Sequence, residues 1–200
     1  MDKQTAKLGA RILENLPNMD SEVMQEWIDD PKGLQEALRQ ALCRFKTFKT
    51  IKLGTKKSVK AIRQAIADTG CYISGWANDI LGQFAFTAAT KETEVELVVV
   101  SVAELGFKDE AKYSVICKRA QQLGLALCPA EVGPQLRLQY PDQPKGEWLH
   151  VAMEPITDSV SNLSLFIVVH NDDERLLYGD HGRPDCLWGA GDRFVFVRSK

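Results

Sequence analysis

The chain has 200 residues, 44% hydrophobic and 26% charged, with a formal net charge of −2, the composition of an ordinary water-soluble globular protein. That length suits one large domain, or one domain with an appendage, and needs neither a disulfide nor a metal to bury a core. The small net charge excludes a chain-wide polyanion binder, no apolar run approaches the ~20 residues of a membrane span, and the first 20 residues lack the unbroken apolar core of a secretory signal.

The first 45 residues read as a helical arm. A helix is expected around Thr5 to Leu16. Ser21 then caps "SEVMQEWIDD", where Val23, Met24, Trp27 and Ile28 recur at helical spacing. Pro31 opens "PKGLQEALRQALCRF", with an apolar stripe of Leu34, Leu38, Ala41, Leu42 and Phe45. Such a stripe usually faces its own core, so the arm is expected to pack rather than to bind a partner.

Residues 46–200 read as one α+β domain. "TFKTIKLG" alternates as a strand does, "SVKAIRQAIADTG" is a capped helix ending at Gly70, and "SGWANDILG" is a second short helix. "EVELVVVSV" is a strand whose continuous apolar run predicts burial on both faces near the sheet centre. A third helix runs from about Glu110 to Leu123. Thereafter "PQLRLQY", "EWLHVAMEPI", "LSLFIVVH", "RLLYG" and "RFVFVR" carry strand signals, with "PDQPKG" and "NDDE" as hairpin loops. N-terminal helices, a mixed segment and then a mainly antiparallel sheet make the expected fold class α+β.

The chemistry-bearing candidates fall in three places. In "LCPAEVGPQLRLQY", Cys128 sits near Glu131 and Arg137. It follows a helix C-terminus and precedes Pro129, which has no amide hydrogen to offer an oxyanion, so it reads as a structural thiol. Gln135, Arg137 and Gln139 then fall on one face of the expected strand, a row suited to an anion or a peptide carboxylate. The "YGDHGRPDCLWGAGDR" segment places Asp180, His181, Arg183 and Cys186 in a glycine-rich connection, the catalytic candidates being His181, Asp180 and Cys186 and the ligand-binding candidate Arg183. As a polar hairpin loop it needs no function at all. His150, His170 and His181 lack zinc-ligand spacing, so no metal and no cofactor is expected.

The third place is a basic tract. From Arg44 to Ala67 there are eight basic residues and no acidic one, against −3 over residues 1–43 and −7 over the remainder. Lys46, Lys52, Lys56, Lys60 and Arg63 are the candidates for one nucleic-acid-binding surface; a solvated edge strand and helix face is the favoured account of them. The five cysteines, 43, 71, 117, 128 and 186, are odd in number and form no CxxC, which predicts reduced thiols in a cytoplasm.

The runs "FKTIKLGT", "WANDILG", "ETEVELVVVSVAELGF", "CPAEVGPQLRLQY", "GEWLHVAMEPITDS" and "DRFVFVR" resemble those of a family of uncharacterised bacterial proteins over Thr47 to Lys200. The resemblance implies a cytoplasmic bacterial origin and brings no activity, cofactor or catalytic residue. The sequence expectation is a non-catalytic binding or regulatory protein with a protein or small-molecule partner. The alternatives are an enzyme using the 180–193 loop with the Gln135/Arg137/Gln139 face, and a nucleic-acid binder using 44–63.

Overall fold

The computed structural model describes residues 3–14, 21–34, 45–171 and 174–199. It divides into two compact units, Met1–Arg44 and Phe45–Lys200. The first contains helices α1 (Lys3–Glu14) and α2 (Ser21–Asp29). Of the expected arm stripe, Leu38, Ala41 and Leu42 lie outside the described residues.

The second unit is α+β. Its helices are α3 (Val59–Asp68), α4 (Gly75–Gly82), α5 (Tyr113–Gln122) and α6 (Val132–Gln139). The strands before α6 are β1 (Lys49–Leu53), β2 (Tyr72–Ile73), β3 (Thr93–Ser101), β4 (Ala111–Lys112) and β5 (Leu125–Ala126). After it come β6 (Glu147–Val151), β7 (Ile156–Thr157), β8 (Leu163–His170), β9 (Arg175–His181), β10 (Leu187–Trp188) and β11 (Arg193–Arg198).

The described residues form a nine-stranded sheet in the order β1-β3-β11-β6-β8-β9-β2, with β5 against β11 and β7 against β8; β4 and β10 make a separate ladder. The sheet is mixed. β11 pairs in parallel with β6 at Phe194↔His150 and Val195↔Val151, and β2 pairs in parallel with β9. The parallel pair at the centre arises because the chain leaves β6, makes the β8–β9 hairpin and returns to the other edge of β6. "EVELVVVSV" therefore lies second from one end rather than at the centre, with β1 beside it. The strand buried without interruption is β8, from Ser164 to Val169.

The helices form where local signals are strong. The Ser58 hydroxyl accepts a hydrogen bond from Ala61 N (3.2 Å) and caps α3, whose Ile62 and Ile66 are buried. Ser74 does the same for α4 through Ala77 N (3.2 Å), and Ala77, Ile80 and Leu81 face the core. No helix among the described residues is long and apolar enough to cross a membrane.

"PQLRLQY" is a helix, not a strand. Pro134 lies in the first turn of α6, where a missing amide hydrogen costs nothing. The helix is pressed against β8 so closely that a Cβ on Gly133 would sit 2.6 Å from the Phe166 Cβ. That contact, with Val132 and Leu136 fully buried, holds the segment helical despite its alternating leucines. "PDQPKG" accordingly joins a helix to β6 and is not a hairpin loop.

Candidate ligand-binding cleft

A strand at the end of a sheet exposes unpaired backbone groups, and β1 is such a strand. Here α6 seals it with side chains. Glu131, Gln135 and Gln139 recur every fourth residue and so share one helix face. The Gln139 amide accepts from Lys52 N (2.9 Å) and donates to Lys52 O (2.8 Å), as a neighbouring strand would. The Thr55 hydroxyl donates to Gln135 Oε1 (2.9 Å), and Gln139 Nε2 also reaches that oxygen (3.1 Å). Glu131 is 1% exposed and accepts from Gly54 N (2.8 Å), Ala89 N (2.7 Å) and Gln135 Nε2 (2.9 Å). Three segments thus converge on one buried carboxylate. Gly54 is required where it stands: its φ is +73°, and a Cβ would lie 2.3 Å from Lys91 O.

Beside this ladder lies an open cleft of about 380 Å³ between the faces of two helices. Ala65, Asp68 and Thr69 come from α3 and its C-cap, Leu138 and Gln139 from α6, and Lys56 from the turn between β1 and α3. Most polar groups on its wall are already committed: Thr69 Oγ1 donates to Ile66 O (2.6 Å), and Asp68 Oδ1 accepts from Gln64 (2.8 Å). Lys56 makes no hydrogen bond or ion pair with the described residues.

The expected Gln135/Arg137/Gln139 row is corrected in kind. Gln135 and Arg137 are each 1% exposed, so they form no exposed strand face. Arg137 points away from Gln135 and Gln139, because two residues on a helix are about 200° apart. Its guanidinium donates to Gln143 Oε1 (2.6 Å), Val169 O (3.0 Å) and Tyr140 O (2.6 Å), tying the end of α6 to β8. Burial pushes its pKa down from the ordinary value, and Arg175 adds to this while Cys71 opposes it. Gln135 and Gln139 do line the cleft.

Of the catalytic candidates, Asp180 and His181 are joined only through the His181 backbone amide, and Cys186 bonds to neither. Asp180 and His181 end strand β9 rather than lying in a loop, and His181 is exposed against the Trp76 indole, ring centroids 5.8 Å apart. Asp180 Oδ1 accepts from the His181 backbone amide (2.7 Å). Cys186 sits in the turn before β10, its amide donating to Arg183 O (3.0 Å), and no hydrogen bond joins it to His181 or Asp180. Arg183 makes an exposed ion pair with Asp185 (3.5 Å). The second cleft, about 180 Å³, touches this segment only through Pro184. On its wall, burial pushes the Cys117 thiol up to about 11, and the Tyr113 hydroxyl is occupied by the Met153 backbone, donating at 2.7 Å and accepting at 2.9 Å. Cys128 is 4% exposed, donates to Val195 O (3.3 Å), and burial pushes its pKa up. Thiols so raised are poor nucleophiles at neutral pH.

The basic tract is divided. Lys46 and Lys60 are exposed, whereas Lys52 lies 3.9 Å from Glu94, its register partner on β3, and Glu96 stands opposite Thr50. Arg63 donates to Asn78 O (2.9 Å), and Lys57 donates to Gly54 O (2.7 Å) and Thr90 O (3.0 Å). Lys56 alone of the five faces the cleft wall. Among the described residues no group of three His, Cys, Asp or Glu is placed to hold a metal ion. His150 is buried between Trp188 and Phe194 (4.4 and 5.2 Å), with Nδ1 at 3.2 Å from Arg193 O; burial lowers its pKa.

No protein-family model, curated protein or solved structure matches this chain.

Proposed function

We propose that this is a non-catalytic binding or regulatory protein whose partner is a small molecule held between α3 and α6. The observation that carries this is the convergence of Lys56, Asp68 and Gln139, from three separate segments, on one cleft of about 380 Å³. Ligand sites are typically concavities of this size with a few placed polar groups on an otherwise apolar wall. On the cleft wall the Gln139 amide is held by the Lys52 backbone of β1 and the Gln135 amide by the Thr55 hydroxyl. Little supports the enzyme alternative, since neither described cleft is lined by both α6 and His181, Asp180 or Cys186. Little supports nucleic-acid binding through Lys46, Lys52, Lys56, Lys60 and Arg63, since the Glu94 and Glu96 carboxylates stand beside the strand portion of that tract. The free thiols of Cys71, Cys117, Cys128 and Cys186 support a reducing compartment, and with the bacterial resemblance a bacterial cytoplasm.

The experiment is a thermal-shift screen of a small-molecule library. A ligand at a hundred times its Kd adds about 2.7 kcal/mol, which raises the Tm of a chain of this size by roughly 5–10 °C. Hits are expected to disappear in Leu138→Trp, which fills the cleft from the α6 side. Hits that persist unchanged in that variant, or a library without a single hit, refute the proposed site.

A further inference from the structure

We infer that the ligand of this cleft is amphoteric: one anionic group and one cationic group joined by a short aliphatic segment, the chemistry of a free amino acid. The inference rests on the cleft being a ligand site and names what it accepts. The polar groups on the wall divide into those that the fold has used and those it has not. The Thr55 hydroxyl is spent on Gln135, the Thr69 hydroxyl on Ile66 O, and the Gln139 amide on Lys52 and Gln135. Two groups remain with bonding capacity, and they have opposite charge. One is the Lys56 ammonium; the other is Asp68, whose Oδ1 alone is engaged, by Gln64. They enter from opposite ends of the α3 segment, Lys56 just before the helix and Asp68 as its last residue.

The backbone adds to this polarity. Asp68 and the Thr69 cap lie at the C-terminus of α3, where the helix dipole places partial negative charge, so the cleft is electronegative at that end. Ala65 and Leu138 give the intervening wall an apolar surface. Asp68 is exposed and Lys56 half-buried, so a monoanion at Lys56 forgoes the contact with Asp68, and a monocation at Asp68 forgoes the one with Lys56. A phosphate dianion meets one cation on the wall and a carboxylate beyond it. A molecule carrying both charges satisfies both ends at once, and its aliphatic spacer covers Ala65 and Leu138. Selectivity then comes from the second charge contact that each single-charge ligand forgoes.

The test is an NMR titration of the full chain with the ω-amino acids from glycine to 6-aminohexanoate. The straight-chain carboxylates and amines of matching length serve as single-charge probes. At least one ω-amino acid is expected to shift the backbone amides of Lys56, Thr69 and Gln139, and its single-charge counterparts to bind about fivefold or more weakly, the factor for one partly solvated charge contact. Lys56→Ala and Asp68→Ala are each expected to lose the same factor, and Lys60→Ala, exposed and off the cleft wall, to lose nothing. If carboxylates bind as tightly as ω-amino acids and Asp68→Ala is silent, the amphoteric class is refuted while the cleft stands as a site. The amphoteric class is refuted in the same way if no ω-amino acid binds but library hits from the thermal screen shift those amides. If neither set of compounds shifts them, the inference and the site fall together.

Discussion

Replacing Glu131 tests the ladder that organises this end of the molecule. Its carboxylate accepts from two backbone amides, Gly54 N and Ala89 N, and from the Gln135 side chain. A hydrogen bond to a charged group contributes about 1.5–3 kcal/mol net, and buried donors left without acceptors carry a desolvation cost of similar size. Glu131→Ala orphans the buried Gly54 donor and the half-buried Ala89 donor and frees Gln135, so the expected loss is about 3–6 kcal/mol, much of the stability of an ordinary domain. Glu131→Gln keeps the volume but turns an NH2 group toward an amide donor, and is expected to cost about half as much. The assay is urea denaturation followed by circular dichroism, with the m-value checked for constancy. Amide hydrogen exchange at Gly54 and Ala89 locates the effect and should accelerate before any change in β8. A loss below about 1 kcal/mol for Glu131→Ala, or exchange at Gly54 no faster than in the parent, refutes the view that this carboxylate holds the three segments together.

Arg137→Ala removes three hydrogen bonds and leaves a cavity, for an expected cost of about 3–5 kcal/mol. Arg137→Met fills the space without the buried charge and is expected to cost about half of that by the same urea assay; equal costs would refute a packing contribution. The buried His150 resists protonation when folded and accepts it freely when unfolded. Stability is therefore full above the unfolded pKa near 6.5 and declines as pH falls below it, and His150→Phe should flatten the slope of Tm between about pH 7 and pH 5. Cys128, buried and with a raised pKa, is expected to label with iodoacetamide more slowly than a cysteine peptide at neutral pH, as read by mass spectrometry.

Much of the fold is legible from local signals. Ser58 and Ser74 mark helix starts, and the apolar runs of β8 and β11 mark strands, because in each case local preference and tertiary burial agree. α6 defeats the period-two pattern of Leu136 and Leu138. That helix is wrapped by protein on nearly every side, so its apolar residues trace no stripe. The signal that identifies it is polar: Glu131, Gln135 and Gln139 at spacings of four, with a Gly-Pro pair that suits a helix start. Even so, a sequence does not say that such residues face inward, since an amide ladder on a strand edge needs a particular partner strand 80 residues away. Of the candidate site residues, Lys56, Gln135 and Gln139 meet in one place, beside Asp68, an exposed residue that no sequence pattern singles out. The parallel junction of β6 and β11 is equally hidden, as both strands have ordinary antiparallel neighbours.

The position of β11 in the sheet sets the order of assembly. Residues 193–198 are made after every other described strand, yet they occupy the gap between β3 and β6. Until they arrive, the β1–β3 pair and the β6–β8–β9 group are separate ribbons, each with an open edge of unpaired amides and carbonyls. During synthesis the growing chain therefore carries two adhesive borders, and joining them requires contacts across more than 90 residues of sequence. Such long closures slow folding and prolong the exposure of those borders.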